Sequence, residues 1–232
     1  MIRHLFLFFL LFNTAAFAQK VKILKVNSNY FKHSNVEGYQ YLHPKMRKET
    51  YEWIANVRVN FDTIKPNTLQ ILYNKLYKKS NKLCANAFRI LASNLYAPKK
   101  EKFIEIGIFY LNWENRNENK ELFEANKIYM FGFLGHHRRI EGYKISVNDK
   151  KMILRELQYK LVQSKRGSVV KLTLGNGFKR DNLKVEIENK MMPKYFKFEI
   201  YKGPFKRGLI SEHEWSFGEM LVQVLKKEVI KI

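Results

Sequence analysis

Histidine, cysteine and acidic side chains are where this chain could do chemistry, and few of them fall at informative spacings. Adjacent His136 and His137 could offer two imidazoles to a metal only from a loop, because neighbours on a strand point to opposite faces. Arg138 and Arg139 follow them and would repel a cation. The run Glu212-His213-Glu214 has metal-ligand residue types without the helical spacing of the zinc peptidases, and reads as a polar turn ahead of the last helix. Only three aspartates occur, Asp62, Asp149 and Asp181, each beside an expected turn where Asp bonds its own backbone. Cys84 is alone, so no disulfide can form within the chain. It reads as a small buried apolar residue, or as a nucleophile if a base lies beside it in space. No Gly-x-Ser-x-Gly elbow, phosphate-binding loop or dinucleotide fingerprint is present. No metal or cofactor is expected. A hydrolase would have to draw on Glu or His residues of the second half, assembled by the fold.

Charge is the louder signal. Lys and Arg total 43 against 21 acidic residues, a formal net charge of +22. Such a field favours anionic partners, while the same lysines could also do no more than fill solvated faces. Lys75, Lys78, Lys79 and Lys82 recur at helical spacing and, with Arg138 and Arg139, are the candidate contacts to an anionic surface. A basic amphipathic helix can lie on a membrane, or simply pack on a sheet with its lysines in water. The stretch from Lys194 to Lys202 interleaves aromatics with cations as a sugar- or base-binding strand would. However, Phe196, Phe198 and Ile200 share one face, which is how a core is built.

The N-terminus carries an address. Arg3 precedes an eight-residue apolar run, Leu5 to Phe12, and Ala16-Phe17-Ala18 is a small-x-small cleavage site. The run is too short to span a bilayer, which takes about 20 residues. Residues 1–18 are therefore expected to be a cleaved signal peptide, and export makes intracellular nucleic acid an unexpected partner. Cleavage removes a single basic residue, Arg3, and leaves a chain of 214 residues carrying about +21. No later segment reaches membrane-spanning length.

Periodicity then supplies the elements. Val21 to Val26 is a first strand. Tyr51, Trp53, Ala55, Val57, Val59 and Phe61 alternate with polar residues, broken only by Ile54, and predict a half-buried strand. Pro66 to Leu83 has helical spacing. Phe88 to Ala92 is a short strand, and Phe103 to Leu111, apolar on both faces, is a central one. Polar residues crowd 112–126, the expected loop or linker between 19–111 and 127–232. Beyond it, short alternating segments follow at turn-punctuated intervals, as in a sandwich or barrel. Residues 152–163 fit either a helix or a strand, and the alternation of Leu157, Tyr159 and Leu161 favours strand. Ser216 and Glu219 fit a capping box opening a final helix that ends at Lys226 and Lys227.

The signal peptide, the α/β unit running into Ala85-Asn86-Ala87 and the strand-rich second half together resemble exported proteins of the Bacteroidota that have no known activity. The joint at Ala85-Asn86-Ala87 is similar to small bacterial α/β modules that place glycine before such a tripeptide. Here Cys84 stands in that place. The resemblance implies no activity.

The expectation is thus an α+β protein: a strand-helix-strand-strand unit, then an antiparallel β-rich sandwich-like half ending in a helix. Its expected role is non-catalytic, periplasmic or extracellular, binding anionic lipid headgroups or polysaccharide of the envelope through a basic surface. An envelope hydrolase is the alternative, and a secreted effector a third reading.

Overall fold

The computed structural model describes residues 21–30, 32–33, 38–61, 66–96, 101–132, 142–175, 181–201 and 207–229. Residues 1–18, His136, His137, Arg138 and Arg139 lie outside the described residues.

The first half builds one five-stranded sheet from β1 (Val21–Val26), β2 (Gln40–Tyr41), β3 (Glu52–Phe61), β4 (Ala87–Asn94) and β5 (Lys102–Tyr110), in the order β1-β3-β5-β4-β2. β5 is central, as its two apolar faces require. The break in the alternation of β3 is physical: register shifts between Trp53 and Ala55, leaving Ile54 as a bulge residue. Ile54 and Ala55 are consequently buried side by side in the sequence.

Helix α1 (Pro66–Lys82) buries Leu69, Leu72, Tyr73 and Leu76 against the inner face, which presents Ile104, Ile106 and Ile108. It ends without the usual glycine. Cys84 itself takes the left-handed conformation, φ 52°, and Ala85 N–H bonds the Ser80 carbonyl at 2.9 Å. Cys84 is half-buried rather than buried. Asn86 follows and works as a strand surrogate: its side chain accepts from Leu111 N–H and donates to Leu111 C=O, both at 2.7 Å.

The expected linker is instead folded. Helix α2 (Trp113–Glu121) starts at Asn112, whose side chain accepts from Asn115 N–H at 2.9 Å. Its polar composition hid it because its anchor is polar too. Buried Asn119 donates to Gln40 Oε1 and to Tyr41 C=O and accepts from His43 N–H, at 3.1, 2.9 and 2.8 Å.

The second half contributes two further sheets. β7 (Tyr143–Val147), β8 (Lys150–Leu154), β10 (Val169–Leu174) and β11 (Asp181–Glu186) form one, in the order β11-β10-β7-β8. β6 (Lys127–Gly132), β9 (Gln158–Gln163), β12 (Lys194–Tyr201), β13 (Arg207–Glu212) and β14 (Lys226–Val229) form the other, in the order β13-β12-β6-β9-β14. Their facing residues, among them Ile128, Met130, Ile145, Leu172, Phe196 and Phe198, close a sandwich-like core. Pairing is mostly antiparallel, with β6–β12 and β9–β14 parallel. Residues 152–163 are strand on both sides of a break at Leu157, whose φ is 57°. Asn148 and Asp149, at φ 47° and 64°, make the tight turn between β7 and β8.

Helix α3 (Trp215–Val224) differs from expectation at both ends. Ser216 is no cap: it lies within the first turn, and its hydroxyl donates to Tyr39 C=O at 2.6 Å. Glu219 accepts from the Tyr195 hydroxyl instead of reaching back to the helix start. Lys226 and Lys227 belong to β14, because the chain turns extended at Leu225 and pairs with β9. α3 is buried among Tyr39, Tyr73, Phe88, Tyr129, Tyr159 and Tyr195, so one core cluster runs through both halves. The fold is α+β, with sandwich-like sheets and a C-terminal helix.

Candidate functional site

Glu212, His213, Glu214 and Glu219 lie at or near the start of α3, each engaged with a different group. Glu212 pairs with Lys194 at 2.8 Å, and Glu214 accepts from the Tyr73 hydroxyl at 2.9 Å. Between them His213 bonds the Tyr195 carbonyl through its backbone N–H and sets its ring edge-on to Phe217. Burial, reinforced by Lys197, pushes the His213 imidazole down to about 4, so it is neutral across the physiological range.

The Glu219 carboxyl has the chemistry of a general acid. Burial raises it to about 7, against the opposing pull of the Tyr195 hydrogen bond and of Lys127. Tyr195 stacks on Tyr129 with centroids 5.1 Å apart, and Tyr129 leans on Tyr159. But Glu219 is 5% exposed and Tyr195 1%, and Gly218 lies so close that a Cβ there would stand 2.2 Å from the Tyr195 ring. A substrate does not reach a group this enclosed, and the cluster serves to fasten α3 to β12. Among the described residues no group of three His, Cys, Asp or Glu side chains is placed to hold a metal ion.

No family model, curated protein or solved structure matches this chain.

Of the candidate lysines on α1, Lys78 and Lys82 are exposed, while Lys75 and Lys79 are half-buried on the flank of the helix. The apolar face of α1 is spent on the core, so this helix is not free to lay that face into a bilayer. Nor is any helix among the described residues long and apolar enough to cross a membrane. A groove of about 550 Å³ between β11 and β12 is rimmed by Lys184, Lys190 and Lys194 but also by Glu186, Glu188 and Glu212. Its charges balance, which gives an anion no preference for it.

The outer face of the first sheet is different, and sequence reading missed it. Ladder register sets Lys22 beside Arg58, Lys25 beside Asn56, and Arg89 beside Gly107, all on the face turned away from Ile104, Ile106 and Ile108. The cations there rest on aromatic rings: Lys25 over Trp53 at 5.4 Å, Arg58 over Phe103 at 3.9 Å, Arg89 over Tyr51 and Phe109 at 5.7 and 5.5 Å. Arg116 and Trp113 on α2 add a further pair at 5.5 Å. Gly107 makes room for this. A Cβ there would lie 2.6 Å from the Phe109 ring, which folds back across the strand and supports Arg89. Arg89 gives one of its in-plane N–H donors, on Nη2, to the Tyr51 hydroxyl at 3.5 Å, and support by a ring removes much of the entropy that a free side chain loses on binding. Arg58 is partly neutralised by Glu101 and Glu105, both at 3.3 Å. Among the described residues Lys22, Lys25 and Arg89 have no carboxylate partner. The one trace of this face in the sequence was the polar half of β3's alternation, Asn56, Arg58 and Asn60.

Proposed function

We propose that this protein is an exported, non-catalytic binding protein that holds an anionic partner of the cell envelope through a basic surface. The observation that carries the reading is the set of ring-supported cations on the outer face of the first sheet. The mature charge of about +21 supports the reading, since it supplies long-range attraction to an anionic partner. The enclosure of Glu219, which is 5% exposed, weighs against a hydrolase reading that would use this carboxyl.

Binding of residues 19–232 to anionic vesicles, lipopolysaccharide and acidic polysaccharide across a salt series tests it. Binding at low salt that weakens as salt rises is expected, because screening shortens the reach of exposed charges to about 8 Å at physiological strength. The double variant K25Q/R89Q should bind about 10-fold or more weakly, and K78Q/K82Q nearly as well as the parent. Absence of binding at low salt, or equal binding by K25Q/R89Q, defeats the proposal.

A further inference from the structure

The arrangement of groups between the cations narrows the partner. We infer that the outer sheet face takes an acidic polysaccharide laid across the strands, an inference that rests on the anion-binding reading above. Ladder register aligns Lys25 on β1, Asn56 on β3, Gly107 on β5 and Arg89 on β4 in one row perpendicular to the strands. At about 4.8 Å per strand the row is about 14 Å long, with a cation at each end. A second row, Lys22–Arg58–Glu105, runs alongside it about 7 Å away.

What lies between Lys25 and Arg89 matches a sugar chain. Asn56 accepts from Trp53 Nε1 at 2.7 Å through its Oδ1, which fixes the amide and leaves its Nδ2 donors for a hydroxyl. Next to it, Leu91 covers the Gly107 position, its Cδ2 3.3 Å from where a Cβ would be, and offers an apolar spot to ring C–H groups. Cation, amide, apolar spot and cation in line answer carboxylate, hydroxyl, C–H face and carboxylate.

A lipid surface calls for something else: apolar side chains that project beyond the charges and enter the acyl boundary. On this face the large rings lie under the cations, and Phe109 is 4% exposed. On the strands Leu24 and Leu91 are exposed at the bulges of β1 and β4, and on α2 Trp113 is 68% exposed.

The test titrates residues 19–232 with alginate oligomers, which are uronic-acid chains, beside dextran (hydroxyls without charge) and phosphatidylglycerol vesicles (charge without sugar). Alginate is expected to bind, dextran not. Asn56→Ala should weaken alginate about 3- to 10-fold without changing its salt dependence, while Lys25→Gln and Arg89→Gln should weaken it and flatten that dependence. Thermal melts matching the parent certify that each variant is folded. If vesicles bind and respond to K25Q and R89Q while alginate does not, the polysaccharide inference falls and the anionic-surface reading stands. If alginate binds but Asn56→Ala changes nothing, charge alone is read and the inference also falls. If neither probe binds, both readings fall together.

Discussion

Glu219 and His213 lie against the same tyrosine and respond to pH in opposite directions. The Glu219 carboxyl is raised to about 7 by burial, so its protonated form suits the fold. Its contribution is complete below pH 4.5, the ordinary carboxyl value, and is lost as pH rises through 7. The His213 imidazole is lowered to about 4, so the fold favours its neutral form. Its contribution is complete above 6.5 and is lost as pH falls through 4. Each shift corresponds to about 3 kcal/mol, so over pH 4.5–6.5 the two slopes cancel. Urea unfolding of the parent should give a nearly flat stability profile across that window. Glu219→Gln should unmask the histidine, with stability rising by about 2–3 kcal/mol from pH 4.5 to 6.5. His213→Gln should unmask the opposite slope. A Glu219→Gln profile as flat as the parent's would show that the carboxyl does not hold its proton in the folded state.

Single elements here end on residues that carry unusual burdens. Cys84 occupies a left-handed position where a side chain costs roughly 1–2 kcal/mol and glycine nothing. Glycine also loosens the unfolded chain, which takes back about 0.4–1 kcal/mol. Cys84→Gly should therefore stabilise by about 0.5–1 kcal/mol in chemical denaturation, and Cys84→Ala should not. If both variants behave alike, the backbone at the end of α1 is not what limits stability there. The same scale explains why α2 was illegible. Helices are recognised by an apolar stripe, and the only residue α2 buries is Asn119, whose three hydrogen bonds do the work of a leucine face. At α3, Ser216 and Glu219 have capping-box spacing. Their partners come from Tyr39 and Tyr195, 177 and 24 residues away in sequence, and those contacts outcompete the local motif.

At the scale of the molecule, α3 joins the sheets. Its residues Phe217, Met220 and Leu221 share a core with Ile104 and Leu72 of the first half and Tyr159 and Tyr195 of the second. Tyr73 bonds Glu214, and Tyr96 bonds the Val224 carbonyl at 3.2 Å. Residues 19–232 should therefore unfold in one transition, with coincident near- and far-ultraviolet circular dichroism curves and calorimetric enthalpy equal to the van't Hoff value. Two resolved transitions would mean that the sheets are energetically separate. Local periodicity was enough to determine the α+β class, the centrality of β5, helix α1 and the turn at Asn148-Asp149, because each depends on neighbours within a few residues, whereas it marked Ile54 only as a break in the alternation and the ladder register made it a bulge. The basic–aromatic face was decided only by tertiary structure. Lys25, Arg58, Arg89 and Phe109 come from four different strands, and it is the ladder register that makes them neighbours. The closing of the tyrosine cluster around Glu219 was decided the same way, since burial is a property of what packs over a residue rather than of the residue itself.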